Sequence, residues 1–261
     1  VTGPAAPERV VVTGAGNGIG AALAEAFAAA GAAVVVNDLD ADAAARTAAR
    51  IGALAVPGDA AGRDGVADLI AAARAELGGI DVYCANAGVA PTGGPEAPEA
   101  HWTAAWEVNV MAHVRAAELL LPEWLERGAG RFVATVSAAG LLTMLGSAPY
   151  SVSKHAALSF AEWLSATYRH RGIRVHALCP QGVRTQLLAE AGELGQALMG
   201  AGALEPAQVA AETLRAIEQD RFLVLPHPEV AAFYAARAGD TDHWLDAMNR
   251  LQRKFVVEEE R

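Results

Sequence analysis

Tyr150 and Lys154 stand four positions apart in the run Tyr150-Ser151-Val152-Ser153-Lys154, inside a stretch whose apolar residues recur at helical spacing. Residues i and i+4 share a helix face, so the spacing predicts an ammonium close to a phenol. Of the 20 basic residues in the chain, only Lys154 and Lys254 are lysines. An ammonium is a compact, rotatable donor that the wider guanidinium fork does not replace at a crowded site, so a lone lysine among arginines invites a chemical reason. With four Tyr and two Lys in the chain, the pair arises by chance with a frequency of about 0.03. A plain surface helix pair is the alternative. Ser137, which closes an apolar run 13 residues before Tyr150, adds a hydroxyl.

A second group of residues lies near the start. The first strand-like run ends in Thr13-Gly14-Ala15-Gly16-Asn17-Gly18-Ile19-Gly20 and passes straight into a helical pattern. Glycines there let the backbone approach a dinucleotide pyrophosphate, and the free amides of a helix N-terminus supply positive polarity. A glycine turn made only for packing is the competing reading. Asp38 ends the next strand-like run, 18 positions after Gly20, where a carboxylate can accept from adenosine ribose hydroxyls. Its alternative is a helix N-cap, for which Asp40 is better placed. Leu39 follows Asp38, and the loop offers no Lys or Arg for a 2′-phosphate, so the cofactor expected is NAD rather than NADP.

These groups need a scaffold that brings strand ends together. Strand-like runs at 9–13, 33–37, 53–57, 81–85, 131–137, 174–179 and 222–225 alternate with helical patterns at 18–30, 40–51, 63–77, 98–127, 150–171 and 205–219. This is a βαβ rhythm, and it predicts a doubly wound parallel sheet, Rossmann-like, of seven strands with helices on both faces. No linker divides residues 1–261, so a single domain is expected, with the glycine-interrupted apolar segment 186–203 as a mobile substrate flap.

Composition narrows the classes further. A chain of 261 residues with 53% hydrophobic and 19% charged residues has the makings of a large core and is not disordered. The net charge of -10, without a basic cluster, argues against a nucleic-acid partner. Cys84 and Cys179 sit in apolar runs without metal or disulfide spacing, which suits a reducing, cytoplasmic setting. The seven histidines, His155 and His176 included, form no ligand pattern, so no metal is expected. Nor does any segment read as a signal peptide or a membrane anchor.

Taken together, the chain resembles the short-chain dehydrogenase/reductase family. Gly14, Gly18 and Gly20 match its TGxxxGxG loop, Asn86-Ala87-Gly88 its NAG motif, Asn109 its helical asparagine, and Ser137, Tyr150 and Lys154 its catalytic trio. The likeness runs from about Val10 to Thr185; Pro180-Gln181-Gly182-Val183-Arg184-Thr185 departs from Pro-Gly-x-Val-x-Thr, with Gln181 in a glycine position. The resemblance implies Tyr150 as general acid/base, Lys154 bound to the nicotinamide ribose, Ser137 on the substrate oxygen, and Asn109 holding a water that links Lys154 to solvent. It also implies cofactor contacts from Asn17, Ile19, Leu39, Pro180, Val183 and Thr185, and from Asp59 and Ala60 beside the adenine. Asp59 reads equally as a turn residue, and Asn86 equally as a loop tie.

The reaction expected is interconversion of a secondary alcohol and a ketone. Leu141, Leu142, Met144 and Leu145, with Leu187, Leu188, Leu194, Leu198 and Met199 of the flap, offer an apolar lining, and no arginine cluster suggests an anion clamp. A neutral hydrophobic substrate is therefore preferred. A homotetramer is expected through the Ala-, Leu- and Trp-rich helices at 98–127 and 150–171. The alternatives are a non-catalytic dinucleotide-sensing or scaffold protein, which leaves the full Ser137, Tyr150 and Lys154 set unexplained, a methyltransferase, which leaves the Tyr/Lys pair unexplained, and a nucleotide-sugar epimerase or dehydratase, which needs a longer chain.

Overall fold

The structure is a computed structural model that describes residues 8–259. The side chains of Leu194 and Leu198 lie outside the described ones, as does the opening segment 1–7. Among the described residues seven strands form one parallel sheet. They are β1 (Arg9–Val12), β2 (Ala33–Val36), β3 (Leu54–Ala55), β4 (Val82–Ala85), β5 (Gly130–Thr135), β6 (Ile173–Leu178) and β7 (Leu223–Val224), in the spatial order β3-β2-β1-β4-β5-β6-β7. After β3 the chain returns past β1 to lay down β4, so the order reverses between β1 and β4. A doubly wound sheet opens its binding crevice at such a switch point, outside the carboxyl ends of the strands.

The valine runs explain why both faces are covered. Successive side chains of a strand point to opposite faces, so Val10 and Val12 pack with α1 (Gly18–Ala29) and α2 (Ala41–Ile51), while Val11 packs on the other side. That other face holds α3 (Arg63–Leu77), the helical run from α4 (Glu99–Trp106) to α5 (Ala112–Arg127), and α6 (Ala148–Tyr168). Cores of this kind are buried on both sides of the sheet, and an unalternating Val-Val-Val run serves both at once.

Local chemistry sets the element ends. Asp40 caps α2 by accepting from the Ala43 amide at 3.0 Å, and Gly52 closes that helix in the left-handed region at φ 65°. The cap is therefore Asp40, which leaves Asp38 free of that duty.

The structure adds detail to the helices. The single helix expected at 98–127 is interrupted by a π-helical turn over Glu107–Met111, which holds Asn109; such turns shift side chains out of register and are frequent at functional sites. The flap segment carries two short helices, α7 (Gln186–Ala189) and α8 (Gly192–Met199). A Cβ on Gly195 would lie 2.7 Å from the Ala191 Cβ, so this helical position leaves no room for a side chain. After α9 (Pro206–Glu218) and β7 come α10 (Glu229–Gly239) and α11 (Thr241–Glu259), which the pattern of apolar residues did not reveal. Within α10 only Val230 is fully buried, so the stripe that marks a packed helix is missing.

Candidate active site

The glycine loop lies at the carboxyl end of β1, against the loop that follows β4. Gly14 has φ +60°, and a Cβ there would stand 2.8 Å from the Ala87 Cα, so only glycine lets the two loops touch. A Cβ on Gly20 would stand 2.2 Å from the Gly14 carbonyl oxygen, which is how α1 comes so close to the turn that precedes it. Asn17 at the head of α1 is exposed, and its side chain caps nothing. First-turn amides left open in this way are the donors an anion would meet. Gly18 faces Thr185, whose Cγ2 lies 3.1 Å from the place a Cβ would take, and Ile19 is half-buried beside it.

Asp38 is held rather than free. One carboxylate oxygen accepts from the Gly16 amide at 2.8 Å and the other from the Asp40 amide at 3.0 Å. This fixes the carboxylate beside the glycine loop, with Leu39 projecting into solvent at 79% exposure. Asp59 is differently placed: its oxygens accept from the Ala61 and Gly62 amides at 2.8 and 3.0 Å, forming the turn that was its alternative reading, and Ala60 packs into the core.

Asn86 is a loop tie in this geometry. Its amide nitrogen donates to the carbonyl oxygens of Thr13 (2.9 Å) and Gly14 (3.2 Å), and its side-chain oxygen accepts from the Thr135 hydroxyl at 3.0 Å. The backbone amides of Asn86 and Ala87 both donate to the Thr13 hydroxyl at 3.0 Å. Thr13 and Thr135 therefore organise the crevice floor, although the motif reading gave neither side chain this role.

Across the crevice Asn109, fully buried, accepts from the Val89 amide at 3.0 Å. It donates to the Val89 carbonyl at 2.9 Å and to the Ser153 hydroxyl at 3.0 Å. It thus ties the loop after β4 to α6. A Cβ on Gly88 would lie 3.3 Å from the Asn109 side-chain oxygen and 3.5 Å from the Lys154 ammonium, so these three predicted residues meet at one point.

Ser137, Tyr150 and Lys154 converge as well. Lys154 is 3% exposed; its Nζ donates to the Thr135 carbonyl at 2.9 Å and lies 5.6 Å from the centre of the Tyr150 ring. Burial pulls the Lys154 ammonium down to about 8. Burial also pushes the Tyr150 phenol above its ordinary value, and the facing Ser137 hydroxyl pulls the other way. Ser137 adopts φ 147° and ψ 157°, a region that side chains rarely enter, at a cost of about 1–3 kcal/mol. Its hydroxyl accepts from the Ala139 amide at 3.1 Å, and the Ala138 amide donates to the Pro180 carbonyl at 2.8 Å. These bonds hold the strained backbone and place the segment from Pro180 to Thr185 against it. Val183 of that segment is buried and pairs with Leu204, and Thr185 caps α7 by accepting from the Leu188 amide at 3.4 Å.

The expected apolar lining divides. Leu141 is a core residue, whereas Met144 and Leu145 border a cavity of about 510 Å³ with Ser151, Val152 and His155. Ser137, Tyr150 and Lys154 do not line it, so this cavity lies beside the crevice. Met144 also meets the flap, its Cε 3.5 Å from where a side chain on Gly195 would start. Among the described residues no three His, Cys, Asp or Glu side chains gather as a metal cluster, and no helix is long and apolar enough to cross a membrane.

Comparison with known proteins places this geometry. Residues 8–194 match the family model for short chain dehydrogenases. A 1-deoxy-11-beta-hydroxypentalenate dehydrogenase of Streptomyces exfoliatus is 41% identical over 65% of this chain; the match spans 65% of that relative's length, a little under two thirds. A cis-4-hydroxycyclohexanecarboxylate dehydrogenase of Sinomonas cyclohexanicum is 36% identical over 68% of this chain and 74% of its own. A short chain dehydrogenase/reductase from Burkholderia phymatum, solved in complex with NAD, superposes with a TM-score of 0.81 at 30% identity, covering 90% of this chain and 94% of that one. A family match running from β1 into the flap, joined to the same fold in a solved relative, makes this chain a member of the short-chain dehydrogenase family.

Proposed function

We propose that the protein is an NAD-dependent oxidoreductase that interconverts a secondary alcohol and a ketone. The observation that carries the reading is the convergence of Ser137, Tyr150 and the buried Lys154 on a crevice walled by the glycine loop. Membership in the family, and relatives named as dehydrogenases of hydroxylated ring compounds, support it.

The residues at the switch point fit a dinucleotide. Open first-turn amides behind Asn17 and Gly18 suit a pyrophosphate, and the fixed carboxylate of Asp38 suits the adenosine ribose hydroxyls. Gly14, Ile19, Gly20, Leu39, Ala60, Asn86, Ala87, Gly88, Pro180, Val183 and Thr185 complete the cradle, and Asp59 shapes its adenine end through its turn. An oxidised nicotinamide held here would supply the hydride acceptor and a positive charge. Tyr150 takes the alcohol proton, and returns it when a ketone is reduced. Lowering a phenol from about 10 to about 7 requires roughly 4 kcal/mol of phenolate stabilisation. Burial opposes this, so nearby charge, that of Lys154 included, must supply it. Ser137 donates to the substrate oxygen, and Asn109 orders the loop and the α6 turn around Lys154.

The same reading takes residues 1–261 as one catalytic unit in the cytoplasm, with 186–203 closing over a neutral hydrophobic substrate. Both cysteines are free and buried, as suits a reducing compartment. It assembles as a homotetramer: Trp106 on α4 and Val152 and Trp163 on α6 are 45–54% exposed, apolar surface that a subunit contact would cover. Incubation with NAD and a panel of secondary alcohols including cyclohexanol, read by the absorbance of reduced nicotinamide, tests the activity. Reduction that depends on alcohol is expected; none with any alcohol, and none in reverse with the matching ketones, counts against it.

A further inference from the structure

One side chain joins the C-terminal helices to the wall of the active site. Arg237, half-buried on α10, points its Nη1 into the stretch between Ser137 and Tyr150, where it donates to the Leu141 carbonyl oxygen and lies 3.4 Å from that of Leu142. The same Nη1 stands 3.0 Å from Nε2 of His155 on α6, whose Nδ1 is 2.9 Å from the Ser151 carbonyl oxygen. A carbonyl only accepts, so Nδ1 carries the imidazole proton and Nε2 accepts from Arg237. Behind the guanidinium, Trp244 of α11 presents its ring, with the Arg237 Cζ 5.3 Å from the ring centre.

What Arg237 grips is continuous with the site. The amides of Leu141 and Leu142 both bond the Ala138 carbonyl oxygen, at 3.0 and 2.8 Å, in the turn that starts at the strained Ser137. Two residues further, Met144 lies beside α8 of the flap, its Cε 3.5 Å from where a Cβ on Gly195 would stand. His155 directly follows Lys154. One guanidinium thus bridges the stretch that carries Ser137 and the helix that carries Tyr150 and Lys154, and none of its hydrogen bonds goes to the glycine loop.

We propose that Arg237 is a positioning residue for substrate: it fixes the 138–145 wall, and through Met144 the seat of the flap, leaving the dinucleotide cradle alone. This rests on the oxidoreductase reading above. Arg237→Met keeps the apolar stem and removes the fork; Arg237→Lys keeps a donor. In the full chain, hydrogen exchange of Arg237→Met should be about tenfold faster over 138–145 and unchanged over 13–20. The KM for cyclohexanol should rise about tenfold and the KM for NAD stay within about twofold, with Arg237→Lys recovering part of the loss. Unchanged exchange over 138–145 overturns the proposal. So does a loss that falls equally on the KM for NAD and on kcat. Exchange requires no turnover, so an enzyme inactive on every alcohol would remove the oxidoreductase reading while exchange still decides whether Arg237 anchors the wall.

Discussion

The ammonium of Lys154 is moored to the carbonyl oxygen of Thr135, the last residue of β5, at 2.9 Å. One of its three protons is thereby committed to the sheet. The other two remain for the contacts proposed to the phenol and to the nicotinamide ribose. The backbone at Gly88 closes the space from another side, since a Cβ there would stand 3.5 Å from Nζ.

A guanidinium does not fit this arrangement. Lys154→Arg keeps the charge, yet its planar fork cannot reach Thr135 and face Tyr150 from the same point. Turnover of cyclohexanol should fall by about 10²–10⁴-fold. Activity within a few-fold of the parent would show that the site is roomier than the distances imply.

The buried ammonium also bears on stability. An unfolded chain holds the lysine proton to about 10.5, and burial lowers the folded value to about 8, so between these values the unfolded state binds more proton and stability rises with pH. Below about 8 the penalty is complete, at about 3 kcal/mol. Lys154→Met should therefore melt several degrees above the parent near neutral pH, with the gap shrinking as pH climbs towards 10.5. Calorimetry of both proteins across that window checks the sign; a variant that melts lower, or a gap indifferent to pH, goes against it.

Cofactor choice follows from the held carboxylate of Asp38. A 2′-phosphate would meet it as a like charge, and the exposed Leu39 beside it offers no cation. Catalytic efficiency should favour NAD over NADP by at least about tenfold, or about 1.4 kcal/mol, and Asp38→Ala combined with Leu39→Arg should erode or invert the preference. Equal efficiencies in the parent protein would place the ribose elsewhere.

The parts of the fold that the sequence made legible are those whose physics is local. A valine triplet between helical patterns can only be a strand covered on both faces, and Tyr150 and Lys154 four apart on a helix must share a side. Their meeting with Asn109 and Gly88 follows the family order of motifs. What stayed hidden depends on distance in sequence. Thr135 acts through Asn86 and Lys154, 49 and 19 positions away, and nothing near it marks the role. Arg237 reaches back 96 positions to Leu141 from a helix with little buried surface. The π-turn that holds Asn109 has no sequence signature beyond a polar residue in an apolar helix. Asp59 shows the reverse case, where a turn residue at a motif position takes its own backbone amides as partners.

In the proposed reaction hydride leaves an alcohol carbon in this crevice while Tyr150 takes the alcohol proton. The most direct test supplies cyclohexanol deuterated at its carbinol carbon, with NAD, to the parent protein and to Tyr150→Phe, and follows deuterium onto the nicotinamide ring. Transfer by the parent is expected, with the variant slower by about 10²–10⁴-fold and its affinity for NAD retained, because the ring stays and only the proton-carrying oxygen is lost. Absence of label on the nicotinamide in the parent, or equal transfer rates in the two proteins, would contradict the account.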